Sequence, residues 1–193
     1  MVEMRRPAGA DYEVQVRVRP GRRLDGMSDL RERARGRSVL DVGCNRGLVA
    51  LDLAWAGAKL VHGIDNYDIG IATARENLAD LAGCEARFEV GDLTEGPKAL
   101  APFGGRSYDL VLLLATYHKL KREMAPADLS ALVLRLGQLT GRWFAWRGTS
   151  DKPDENDAEM AALDRDLGLA GLSRIHTSYL SDDLGVCAIW ARR

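Results

Sequence analysis

The sequence has little cysteine, little histidine and no excess charge of either sign. Three cysteines, Cys44, Cys84 and Cys187, are an odd number with no C-x-x-C spacing. Neither a disulfide framework nor a zinc site is indicated, and no metal is expected. The three histidines are equally scattered. No apolar run approaches the roughly 18 residues that a membrane span needs. The stretch Met1-Val2-Glu3-Met4-Arg5-Arg6-Pro7 lacks the apolar core of a signal peptide. These absences predict a cytoplasmic protein without a membrane partner. The 27 Lys and Arg nearly cancel the 28 Asp and Glu, leaving a net charge of −1. That balance argues against an affinity built on neutralising phosphates, and no nucleic-acid partner is expected. Internal repeats and low-complexity tracts are also missing.

What is present is an ordinary globular composition: 193 residues, 46% hydrophobic and 28% charged, enough for one domain with a full core and short for two. Residues 1–193 are therefore read as a single unit. Charge is unevenly distributed within it. Ten arginines lie in residues 1–37 against six acids, so this head carries +4 and residues 38–193 carry −5. Residues 1–37 read as a basic N-terminal extension, with roughly residues 1–25 a lid over the substrate, and 38–193 as the core.

Short apolar runs alternate with longer helical stretches through the core, the pattern of an α/β fold. Strands are expected at Ser38–Val42, Lys59–Ile64, Ala86–Val90, Tyr108–Leu114 and Arg142–Arg147. Helices are expected at about Leu48–Ala56, Asp68–Leu81, Gly96–Leu100, Pro126–Leu139 and Asp157–Leu167. The run Tyr108–Leu114 is apolar without alternation, as befits a central parallel strand covered on both faces. The last two runs, Leu172–Tyr179 and Gly185–Ala191, are separated by only five residues. That connection is too short for a crossover helix, so they should form an antiparallel hairpin. The expected architecture is a seven-stranded, mostly parallel sheet with a C-terminal antiparallel hairpin and helices on both faces.

The most informative segment follows the first strand. A strand delivering Asp41-Val42-Gly43 into Gly47 and a helix lets the backbone turn sharply and approach a ligand closely. A dinucleotide loop would read G-x-G-x-x-G, whereas this one reads Gly43-Cys44-Asn45-Arg46-Gly47. Taken with the acid two residues earlier, Asp41-Val42-Gly43-Cys44-Asn45-Arg46-Gly47 resembles the D/E-x-G-x-G-x-G motif of the class I S-adenosylmethionine (SAM) dependent methyltransferases, with Asn45 in place of the central glycine. The resemblance extends to Asp65 in Gly63-Ile64-Asp65, where the family has an acid for the ribose hydroxyls, and to Gly91-Asp92-Leu93, beside the adenine. The family's Rossmann-like seven-stranded sheet matches the strand pattern. A cis diol can donate two hydrogen bonds to one carboxylate, and an exocyclic amine is a donor that suits another. The resemblance implies a cofactor site made by Asp41, Gly43, Cys44, Asn45, Gly47, Asp65, Asn66, Asp92, Leu93 and Leu114. SAM would be the cofactor and S-adenosylhomocysteine the product.

Substrate groups are expected on loops beyond the carboxyl ends of the strands. After the fourth strand comes Ala115-Thr116-Tyr117-His118-Lys119, and at the end of the fifth Trp146-Arg147-Gly148-Thr149. His118 is the expected general base, since an imidazole accepts a proton near neutrality, with Tyr117 beside it. Trp146 and Arg147 are expected to bind substrate, Arg147 either meeting an anionic group or pairing with the acidic stretch 151–157. Lys119 reads as solvated. No Asn/Asp-Pro-Pro-aromatic tetrapeptide follows the fourth strand, as it would in methyltransferases acting on base amino groups. The resemblance thus implies methyl transfer to an O or N nucleophile of a small-molecule or sugar-like substrate by a monomer or homodimer. Two other readings remain: a non-catalytic SAM-binding scaffold, and a nicotinamide-dependent oxidoreductase, which the loop spacing disfavours.

Overall fold

The computed structural model describes residues 24–79, 81–150, 152–180 and 185–193. Most of the expected lid, residues 1–23, lies outside the described residues, as does 181–184 of the hairpin connection. The elements run α1 (Leu30–Ala34), β1 (Ser38–Val42), α2 (Leu48–Trp55), β2 (Leu60–Asp65), α3 (Asp68–Leu78), β3 (Glu85–Val90), a 3₁₀ segment (Leu93–Phe103), β4 (Tyr108–Leu114), α4 (Tyr117–Glu123), α5 (Pro126–Leu139), β5 (Thr140–Gly148), α6 (Pro153–Leu169), β6 (Leu172–Tyr179) and β7 (Val186–Arg192). All seven strands join one sheet in the order β3-β2-β1-β4-β5-β7-β6. The first five strands are parallel, and β7 runs antiparallel between β5 and β6. The expected fold class is the one found.

Alternation along the strands sends side chains to two cores, one on each face of the sheet. From β1, Leu40 and Val42 enter one core and Val39 the other; from β4, Val111 and Leu113 oppose Leu110 and Leu112. One face packs against α5, α6 and the 3₁₀ segment, where Trp190 stands edge-on to Phe144 and Trp146 at ring-centroid distances of 6.0 and 6.5 Å. Helices α1, α2 and α3 cover the other face. The chain winds outward from β1 to β2 and β3, then returns to β4 on the other side of β1. Connections diverge above and below the sheet at that point, which leaves a crevice outside the strand ends.

Three local expectations need correction. Helix α4 occupies what the sequence suggested was a loop: Tyr117 and Leu120, three residues apart, are its only buried positions, too short a period to stand out among charged neighbours. Helix α6 begins at Pro153, four residues earlier than expected, with Asp154 and Glu155 in its first turn. A proline preset for the first helical position and acids facing the helix dipole explain that start. The helix expected at Gly96–Leu100 is part of a longer 3₁₀ segment broken at Gly96 (φ 68°).

Candidate functional site

The site begins where β1 ends. The backbone N–H groups of Gly43 and Cys44 both donate to the carbonyl of Ile64, at 2.8 and 3.1 Å, tying the loop to the end of β2. Gly43 has φ 79°, and a Cβ there would collide with the Thr116 side chain, so the loop and the start of α4 close on each other only because position 43 is glycine. Asn45, the departure from the family motif, has φ 50°. Asparagine tolerates this left-handed region better than most residues, and its Oδ1 accepts from the Arg46 N–H at 2.9 Å. The substitution therefore preserves the turn.

The acids at the strand ends are held by backbone donors. Asp65 Oδ2 accepts from the Asn45 N–H at 2.8 Å and Oδ1 from the Tyr67 N–H at 2.9 Å. One carboxylate thereby joins the first loop to the turn after β2. Asp92 Oδ1 accepts from both the N–H and the hydroxyl of Thr94, and these bonds hold its carboxyl below the usual range. Asp41 is 3% exposed. Burial, with Asp41 and Asp65 nearby, pushes the Cys44 thiol far up, so it stays protonated and inert at neutral pH.

These groups line one cavity of about 520 Å³, a size typical of small-molecule and cofactor sites. Asp41, Gly43, Cys44, Asn45, Asp65, Asn66, Asp92, Leu93 and Leu114 all line it, and so does Arg147. Gly47 does not. It starts α2 with φ 69°, and an added Cβ would lie 2.8 Å from the Ala74 Cβ, so its role is to let α2 meet α3.

The residues expected to contact substrate divide. Arg147 is 4% exposed, lines the cavity wall, and its Nη2 donates to the Asp25 carbonyl at 2.5 Å. Trp146, its neighbour on β5, is fully buried in the core. Adjacent residues on a strand face opposite ways, so the two cannot both serve one site. Tyr117 also belongs to the core, where burial raises its phenol to about 12. His118 stands behind the cavity wall, its Nδ1 3.3 Å from Oγ1 of the cavity-lining Thr149. Burial first, then Lys119 and Arg122, lowers its pKa.

Other lining residues escaped sequence reading. Helix α4 places Lys119 and Glu123, one turn apart, at the cavity instead of leaving Lys119 merely solvated. Ala115 lines the cavity with φ 56°, a conformation that costs an L-residue about 1–2 kcal/mol, and no sequence signal marks it. Among the described residues, no cluster of three or more His, Cys, Asp or Glu could hold a metal ion, and no helix is long and apolar enough to cross a membrane.

Comparison with known proteins agrees with this geometry. Residues 39–138 match a family model described as a methyltransferase domain. The ubiquinone biosynthesis O-methyltransferase of Neisseria meningitidis serogroup C (strain 053442) is 43% identical over 63 residues, covering 30% of this chain and 25% of that protein. The O-antigen chain terminator bifunctional methyltransferase/kinase WbdD of Escherichia coli is 35% identical over 114 residues, 56% of this chain and 15% of that protein. The aligned regions thus span a quarter or less of these relatives' length. Among solved structures, magnesium protoporphyrin IX methyltransferase (ChlM) from Synechocystis PCC 6803 with bound SAM superposes with a TM-score of 0.65 at 24% identity, covering 97% of this chain and 87% of that one. A family match over half of the chain, on this fold, establishes that the protein belongs to the class I SAM-dependent methyltransferases.

Proposed function

We propose that the protein binds SAM and transfers its methyl group to an oxygen or nitrogen nucleophile of a small molecule. The observation that carries this reading is the convergence of Asp41, the Gly43–Asn45 turn, Asp65 and Asp92 on one cavity at the point where the sheet reverses its winding. The acceptor set fits the cofactor. Asp65, fixed by two backbone N–H groups, retains lone pairs for a ribose diol; Asp92 keeps Oδ2 for the adenine amine; buried Asp41 suits the methionine ammonium. When bound, SAM supplies an activated methyl on a sulfonium.

Catalysis then rests mainly on positioning, since holding two reactants in an attack geometry can lower a barrier by about 7–11 kcal/mol. The acceptor end of the cavity has Lys119, Thr149 and Arg147. Arg147 presents a fixed cation to an anionic substrate group, and His118 takes a proton from a hydroxyl acceptor by way of Thr149. The word O-methyltransferase in the Neisseria relative's name and the porphyrin named for ChlM support a small-molecule acceptor. A soluble cytoplasmic enzyme, monomeric or homodimeric, remains the proposed setting.

Calorimetry with SAM, S-adenosylhomocysteine and NAD tests the cofactor, and product S-adenosylhomocysteine measured over a panel of small hydroxyl and amine acceptors tests turnover. Binding of both sulfur nucleosides but not NAD is expected, with turnover on at least one acceptor. Heat with NAD alone overturns the assignment, and SAM binding without turnover on any acceptor favours a non-catalytic scaffold.

A further inference from the structure

A second hollow, of about 240 Å³, lies away from the strand ends that form the main cavity. Its walls come from β2, β3, the end of the 3₁₀ segment and the start of β4. The residue that draws attention is His62. Its side chain is 5% exposed, and its ring packs against Phe103 and Tyr108 at centroid distances of 5.7 and 5.5 Å. Nδ1 lies 2.7 Å from the Tyr108 hydroxyl. Among the described residues buried Nε2 makes no hydrogen bond of normal length, and the group it faces is Glu85 Oε1 at 3.7 Å. A bare lone pair facing a carboxylate would be repulsive. The tautomer that avoids this has Tyr108 donating to Nδ1 and the proton on Nε2. The hollow therefore contains a buried donor whose facing acceptor, Glu85, stands too far for a full hydrogen bond, a group that costs free energy until a closer acceptor arrives.

Two arginines share the hollow with that donor and with Glu85. Arg106 lines the hollow, and among the described residues its guanidinium makes no hydrogen bond or ion pair. It stands close enough to depress the His62 pKa, second only to burial among the causes. Arg87 lines the same hollow, its guanidinium 5.8 Å from the Phe103 ring centre, with Glu89 bound to its Nε at 2.7 Å. Glu85 is the one carboxylate in the lining.

We propose that this hollow binds an oxyanion that also carries a hydroxyl donor, of which hydrogenphosphate is the type: its oxygens accept from His62 Nε2–H and the Arg106 and Arg87 guanidiniums, and its hydroxyl donates to Glu85. A bare anion would satisfy the donors but meet Glu85 lone pair to lone pair. Inorganic phosphate keeps a P–OH at neutral pH, and a hydroxylated phosphate ester supplies the same donor from its carbon frame. Sulfate offers the same acceptor geometry without a proton. The site is separate from the main cavity, and among the described residues none lines both.

The test is a titration of the full-length protein with potassium phosphate at constant ionic strength, following the His62 ring nitrogens by long-range ¹H–¹⁵N correlation. Parallel titrations use sulfate and glycerol 3-phosphate. A saturable His62 shift is expected with phosphate at about millimolar concentration, the range for a small, open site. Sulfate should bind about tenfold more weakly. Glu85→Gln, which replaces the repelling carboxylate with an amide donor, should bring sulfate level with phosphate. Arg106→Ala, at an exposed position, should weaken phosphate about tenfold while leaving S-adenosylhomocysteine affinity unchanged. Tighter binding of glycerol 3-phosphate than of phosphate identifies an ester as the ligand; the reverse order identifies the free ion. The proposal is overturned by the absence of a saturable shift, by equal phosphate and sulfate affinities in the wild type, or by an Arg106→Ala variant that binds phosphate normally.

Discussion

Replacing Asp65 separates its hydrogen bonds to the loop backbone from the ribose contact proposed for it. In the protein without ligand, its two oxygens accept the N–H groups of Asn45 and Tyr67. In Asp65→Ala both donors lose a charged acceptor. Asn45 is exposed and water can replace the lost bond, whereas the Tyr67 bond is partly buried. A loss of about 1–2 kcal/mol follows, and for a chain of 193 residues that lowers Tm by about 2–8 °C. Cofactor binding should suffer more. Two hydrogen bonds from a diol to a carboxylate, at about 1.5–3 kcal/mol each, set a ceiling of about 3–6 kcal/mol; with water compensating part of it, a fall in affinity of about 10²–10³-fold is expected. Asp65→Asn retains one acceptor oxygen and should lie between. The assay is calorimetric titration of S-adenosylhomocysteine at a temperature where the variants are fully folded, paired with melting curves of the ligand-free proteins. A lowered Tm with unchanged affinity would refute the ribose assignment and leave Asp65 as an organiser of the loop alone.

Other substitutions probe the division of labour around the cavity. Gly47→Ala puts a side chain at φ 69° with its Cβ 2.8 Å from that of Ala74; strain and overpacking together should cost about 2–4 kcal/mol in urea denaturation. His118→Gln should lower kcat for a hydroxyl acceptor by about 10²-fold or more and remove the acidic limb of the pH–rate profile. Tyr117→Phe, in the core, should leave both unchanged. His62 titrates below its ordinary 6.5 because burial disfavours the cation. Between 6.5 and its folded-state pKa the unfolded chain binds the extra proton, so the stability held above 6.5 is lost as pH falls through that window. The urea midpoint should drop below pH 6.5, and drop less steeply in His62→Gln.

The fold was legible because its signals are local. The strand Tyr108–Leu114 is apolar on both faces, glycines and acids mark the strand ends, and the six residues between β6 and β7 leave only an antiparallel pairing. The same locality made Asp41, Asp65 and Asp92 readable, since each ends or follows a strand that the sequence itself delimits. Helix α4 was not legible. Its two buried residues carry too little periodicity, and its close approach to the first loop depends on Gly43 admitting Thr116 from a segment more than 70 residues away.

Sequence alone determined the order of strands and helices, the glycine turn and the acids that follow it, because these follow from side-chain periodicity and backbone freedom within a few residues. Tertiary structure decided which side chains face the cavity. It turned Arg147 in and Trp146 away on one strand, set His118 behind Thr149, and brought Lys119 and Glu123 to the rim. It also gathered His62, Glu85, Arg87 and Arg106 from separate segments around one hollow. Facing and proximity across the chain are products of packing, and no local pattern encodes them.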